Sequence, residues 1–131
     1  ETGRERAVHL ANCYVASASA HPRAFSLLVS RSPVSTNGMR FMDRVVSLFD
    51  DVTDDLRVAA LAFSVVANWV VGTLVQQLNA EDELKGVDDT GEFARVASFR
   101  RELLVNISRE ERFAEGLEAV LDGIDARYFS R

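Results

Sequence analysis

An all-α fold is predicted for this 131-residue chain by three observations. Apolar residues recur three and four apart through successive segments, while no stretch alternates long enough to make a strand. Glycine and proline number only 7 and 2, too few for the turns of a small β-sandwich or barrel. Hydrophobic residues at 47% and charged residues at 27% are the composition of a folded chain, and the length suits one domain.

Arg4 to Ala20 reads as the first helix, with Val8, Ala11, Val15 and Ala18 on one stripe and Tyr14 beside it. It stops at His21-Pro22, because the residue before a proline is biased away from helix. Pro22 then suits the first position of a short second helix through Phe25, Leu28 and Val29. Arg31 to Val34, centred on Pro33, is a connection. A third helix is expected from about Ser35 to Asp50, where Met42, Val45, Val46 and Phe49 share a face. Asp51 and Thr53 offer caps for the fourth helix, with Asp54 and Asp55 in its positive first turn. That helix is expected to reach about Ala80. Glu81 to Glu92 holds six acids, one lysine and two glycines, and reads as a solvated loop. A fifth helix, about Glu92 to Asn106, bears Phe93, Val96, Phe99, Leu103 and Leu104. Ser108 and Glu111 have capping-box spacing and open a sixth helix running towards Tyr128.

Charge and rare residues exclude several function classes. A formal net charge of −5 argues against this chain itself gripping nucleic acid or an anionic membrane. Cys13 has no internal partner for a disulfide, which suits a reducing compartment. Two histidines and one cysteine fall short of a structural zinc site. The opening Glu1-Thr2-Gly3 lacks a Met and a signal-peptide pattern, so the chain reads as a piece of a longer protein.

Val58 to Val75, VAALAFSVVANWVVGTLV, runs eighteen residues without a charge. That length touches the threshold for a membrane span, but Asn68 and Gly72 interrupt it and charges adjoin it. A core helix is therefore expected. A helix apolar all round must be covered all round, and five short helices do not suffice, which points to a partner chain, a bound apolar ligand, or both. On the sixth helix Phe113, Leu117, Val120, Leu121, Ile124 and Tyr128 form one stripe, edged by Gly116 and Gly123. Glycine inside a helix costs about 1 kcal/mol relative to alanine, so two on one face predict close helix–helix approach. These residues are read as an intermolecular interface, most simply a two-fold homodimer, with packing inside the chain as the other reading.

Three segments together resemble the C-terminal domain of TetR-family transcriptional repressors, most closely the tetracycline-repressor branch. They are HPRAFSLLVSRSP (His21 to Pro33), SVVANWVVGTLVQQ (Ser64 to Gln77) and RFAEGLEAVLDGIDARY (Arg112 to Tyr128). The resemblance implies a six-helix, bundle-like domain whose last long helices form a dimeric four-helix bundle. It also implies a pocket for a small effector, and a helix-turn-helix DNA-binding module preceding this chain and absent from it. Binding of DNA would then belong to that module alone, in a cytoplasmic regulator. By the same resemblance Leu10, Tyr14, Leu28, Arg31, Met42, Val45, Phe63 and Asn68 fall near the pocket lining. Phe99 and Leu103 on the fifth helix complete the ligand-binding candidates.

The family holds its magnesium–drug complex partly by an imidazole and a carboxylate; here Leu28 and Gln76 stand at those positions. Magnesium prefers oxygen ligands, so no metal and no cofactor are expected, and the effector is expected to be apolar or aromatic, oriented by one or two polar groups. Asn68, in mid-helix, is the foremost polar candidate, because an amide buried there needs a partner. Glu5, His9 and Cys13 follow at four-residue spacing and allow a nucleophile reading, but nothing beside them marks an oxyanion hole. Glu110, Glu111, Glu115 and Glu118 lack the Glu-x-x-His motif of a di-iron bundle and read as a solvated face. No enzyme is expected. The alternative to a ligand-sensing regulator domain is a helical dimerisation or adaptor module with no small-molecule ligand.

Overall fold

The computed structural model describes residues 2–29, 35–83 and 91–129. Among them are six α-helices and no strand: α1 (Gly3–Ala20), α2 (Pro22–Val29), α3 (Thr36–Val46), α4 (Leu56–Glu83), α5 (Ala94–Arg101) and α6 (Arg109–Ile124). The all-α expectation holds, and the boundaries differ at identifiable places.

Each start has a local chemical cause. Thr2 and Glu5 close a full capping box on α1: the Glu5 N–H donates to Thr2 Oγ1 at 3.2 Å, and the Thr2 N–H donates to Glu5 Oε2 at 2.8 Å. Pro22 opens α2, where its missing N–H costs nothing. Ser35 Oγ accepts from the Gly38 N–H at 3.1 Å and caps α3. The cap of α4 is Asp55 rather than Asp51 or Thr53, since its Oδ1 accepts from the Arg57 N–H at 2.8 Å and the Val58 N–H at 3.4 Å. Ser108 Oγ accepts from the Glu111 N–H at 3.0 Å at the start of α6.

The ends depart more from expectation. The third helix tightens at Ser47–Phe49 into a 3-10 turn and stops short of Asp50 as an α-helix. α4 runs 28 residues, about 42 Å, past Ala80 into the acidic stretch read as loop. The fifth helix starts at Ala94, two residues later than expected, and both α5 and α6 widen into π-helical turns, Glu102–Asn106 and Asp125–Phe129. The second of these takes the last helix through Tyr128. The Arg31–Val34 connection and most of the Glu81–Glu92 loop lie outside the described residues.

The core is a seam between α4 and α6 closed by α1 and α2. Val70 and Leu74 of α4 and Phe113, Leu117 and Leu121 of α6 meet Ala11 and Ala18 of α1 and Phe25 of α2. α4 against α6 is the most extensive helix pairing. The Trp69 and Phe113 rings pack at 5.3 Å between centroids. A Cβ at Gly116 would overlap the Trp69 ring, so glycine is what lets the two helices approach.

Arg4 ties α1 to the far end of α6. Its guanidinium donates to Asp122 and Asp125, each at 2.7 Å, and to Glu118. Those carboxylates are four and three residues apart and therefore stand in one line on the helix. The same hydrogen bonds, Glu118 first, raise the Arg4 pKa. The network is half exposed, so water and salt weaken it. Arg4→Gln is expected to cost about 1 kcal/mol of unfolding free energy at low salt. In urea titrations the difference from the parent chain should vanish by about 1 M NaCl; a salt-independent loss would mean that Arg4 acts by packing.

Candidate functional site

The charge-free stretch of α4 is covered on one side only. Ala59, Ala62, Val70 and Leu74 are buried, whereas Leu61, Val65 and Val75 are 43%, 44% and 41% exposed. Asn68 and Gly72 are exposed between them. The series 61, 65, 68, 72, 75 advances by four and three in turn, which keeps it on one face along the helix. From Leu56 to Gln77 the helix is long and apolar enough to cross a membrane by length and composition. Its Ala59, Ala62, Val70 and Leu74 face nevertheless belongs to the buried interior of a folded bundle. What is left over is a stripe, apolar but for Asn68, that the described residues leave partly exposed.

The placement of Asn68 corrects an expectation. It is not buried; it lies on the open stripe, and its Nδ2 donates to Ser64 Oγ at 3.4 Å one turn away. Solvent reaches it, so no ligand is needed to satisfy it.

The interface candidates on α6 divide. Phe113, Leu117, Leu121 and Ile124 are all buried inside this chain, none more than 7% exposed. Gly116 faces the chain's own Trp69, so the close approach it permits is intramolecular. Val120 is half-buried and Gly123 is exposed with nothing near it, which leaves these two on the outer edge of the helix. The long stripe read from the sequence is thus the inner face of a bundle, because an apolar helix face fills against whichever neighbour the chain supplies first.

The ligand-binding candidates fall into three groups. Leu10 and Tyr14 of α1, Met42 and Val45 of α3, and Phe63 of α4 are half-buried or buried. Tyr14 packs edge-on against Phe25 at 5.8 Å and stacks on Phe41 at 6.5 Å, and burial pushes its hydroxyl pKa up. Phe99 and Leu103, 65% and 37% exposed, stand at the surface of α5 and its π-helical turn with Phe93 and Val96. Leu28 is on α2, and Arg31 lies outside the described residues.

An open groove of about 330 Å³ on the flank of α3, lined by Asn37, Arg40, Phe41 and Arg44, was missed from the sequence. The signal was the repeat of Arg at 40 and 44 around an aromatic residue.

The acid–base alternatives come apart on geometry. His9 Nε2 and Cys13 Sγ lie 3.6 Å apart on the surface of α1, but the Glu5 carboxylate is engaged in the Thr2 cap and does not orient the imidazole. Glu118 is bound to Arg4. Among the described residues no group of three His, Cys, Asp or Glu side chains is placed to hold a metal ion.

The described residues form an all-α bundle with one long, half-covered apolar helix. The tetracyclin repressor-like, C-terminal domain family matches residues 1–128, and the chain belongs to that family. No curated protein and no solved structure matches the chain significantly. The family reading agrees with the resemblance of the three segments, and it places the chain among TetR-family transcription regulators.

Proposed function

We propose that this chain is the effector-sensing and dimerisation domain of a cytoplasmic TetR-like transcriptional regulator. It would form a homodimer, and DNA would be bound only through a helix-turn-helix module preceding it. The single observation behind the dimer is the uncovered stripe on α4, Leu61, Val65, Asn68, Gly72 and Val75. Pairing it with its two-fold mate would set α4 and α6 of each copy in a four-helix bundle, with Val120 and Gly123 at the rim. The polar Asn68 in the middle of the stripe would fix register, as a single polar residue does in a helical seam.

Support for the sensing half comes from the resemblance, which assigns Leu10, Tyr14, Met42, Val45 and Phe63 to a pocket lining, and from their being half-buried or buried in this fold. A small aromatic or apolar molecule held there would favour one arrangement of these helices and shift the population between two states of the regulator. The role is regulatory rather than enzymatic. Leu28 and Gln76 supply neither the imidazole nor the carboxylate of a magnesium–drug site, so the effector differs from that of the tetracycline repressors.

Sedimentation equilibrium tests the dimer. The parent chain is expected to weigh about twice its 14.5 kDa. Val65→Glu puts a charge in the middle of the stripe and is expected to give a folded monomer with unchanged far-ultraviolet circular dichroism. A parent chain that sediments as a folded monomer would refute the reading.

A further inference from the structure

We propose that the groove on the flank of α3 is a binding site for an aromatic carboxylate, which assigns an anionic class to the effector. Arg40 and Arg44 stand one turn apart, and neither guanidinium has a hydrogen-bond or ion-pair partner among the described residues. Two like charges at this spacing destabilise a helix, so the pair is a local cost that a bound anion would remove. Each guanidinium presents a planar fork that matches a carboxylate, and Asn37 adds an amide at the same wall. Between the arginines lies Phe41, 41% exposed.

Phe41 touches the interior through one aromatic neighbour. Its ring stacks on Tyr14 at 6.5 Å with 21° between the planes, and Tyr14 in turn sits edge-on against Phe25, which is 3% exposed. A planar ring added to the open side of Phe41 would extend that stack, with its carboxylate reaching Arg40 and Arg44. The groove's volume of about 330 Å³ is at the small end of ligand sites and suits one or two fused rings. A neutral aromatic molecule would gain the stack and leave the two cations unpaired. Through Tyr14, occupancy reaches α1 and α2, so the site has a physical route to the core.

The proposal rests on the effector-sensing half of the reading above and not on the dimer. The test titrates the chain with 2-naphthoate and, separately, with the neutral 2-naphthylmethanol, following backbone amide shifts by NMR. Saturable shifts from 2-naphthoate centred on residues 37–44 are expected, with the alcohol at least about tenfold weaker, as loss of charged hydrogen bonds implies. The exposed double variant R40Q/R44Q should weaken 2-naphthoate by about tenfold or more, while R95Q, which removes one charge from α5, changes it less than about twofold. Equal binding of the alcohol, or 2-naphthoate binding unaffected by R40Q/R44Q, would overturn the anionic assignment. If the alcohol alone binds, shifting residues around Leu10, Val45 and Phe63, effector sensing stands and the groove does not. If neither probe shifts the amides of residues 37–44, the groove proposal fails, and the sensing reading, which names no naphthyl ligand, stands apart from it.

Discussion

Phe113→Ala is expected to lower the unfolding free energy by about 3–5 kcal/mol, a large part of what a domain of this size possesses. Phe113 is 5% exposed and packs on Trp69 at the seam between α4 and α6. The neighbour that would have to close the void is the rigid Trp69 ring, held on a long helix, so collapse would be incomplete and a cavity would remain. Urea unfolding at one fixed protein concentration is the measurement, because association would make stability concentration-dependent. A loss below about 1 kcal/mol would mean that the α4–α6 seam is not the core, since no well-packed phenylalanine is that dispensable.

Gly116→Val should be the second most damaging change, at about 3 kcal/mol, and for the opposite reason. Here volume is added where there is none: the new Cβ alone would overlap the Trp69 ring, and overpacking of this kind costs about 1–3 kcal/mol or more. Valine's better helix propensity than glycine returns only a few tenths of a kcal/mol, roughly. Gly123→Ala is the internal control. That glycine lies on the same helix with nothing within 4 Å of its missing Cβ, so alanine there should stabilise the folded chain by about 1 kcal/mol. Opposite signs at 116 and 123 would establish that packing against Trp69, not backbone freedom, is why position 116 is glycine. Trp69 fluorescence should report the displacement directly, with a shifted emission maximum in Gly116→Val and none in Gly123→Ala.

The helices were legible because their determinants are local. The spacing of Val8, Ala11, Val15 and Ala18, the proline at 22 and the hydroxyls of Ser35 and Ser108 act within a turn or two of themselves, so the sequence displays them directly. The Thr2-x-x-Glu5 box is as local as the one at Ser108 and equally legible. The π-helical turns after α5 and α6 were not, since no residue pattern announces the extra residue in such a turn. The choice of Asp55 over Thr53 as the α4 cap also turns on one residue of backbone geometry.

The candidate site was less legible than the fold. Of the residues the resemblance assigns to the pocket lining, Leu10, Tyr14, Met42, Val45 and Phe63 are half-buried or buried and Asn68 is exposed, while the further candidates Phe99 and Leu103 stand at the surface of α5 and its π-helical turn. Helical spacing marks a face as apolar and says nothing of whether that face is covered. The Arg40, Phe41 and Arg44 groove depends on Tyr14 arriving from another helix to hold the aromatic ring, which is a tertiary event.

By itself the sequence determined that this chain is helical, where its apolar faces lie, and that α4 is apolar all round between Val58 and Val75. Those follow from periodicity, capping and composition, all of which act along the chain. Only the tertiary structure decided which neighbour each face meets. It turned the α6 stripe inward against Trp69 and the α4 core, set Asn68 on the open side, and left Leu61, Val65 and Val75 uncovered. The physical reason is that hydrophobic burial is non-directional: an apolar stripe specifies that it must be covered, and the geometry of the assembled helices specifies by what.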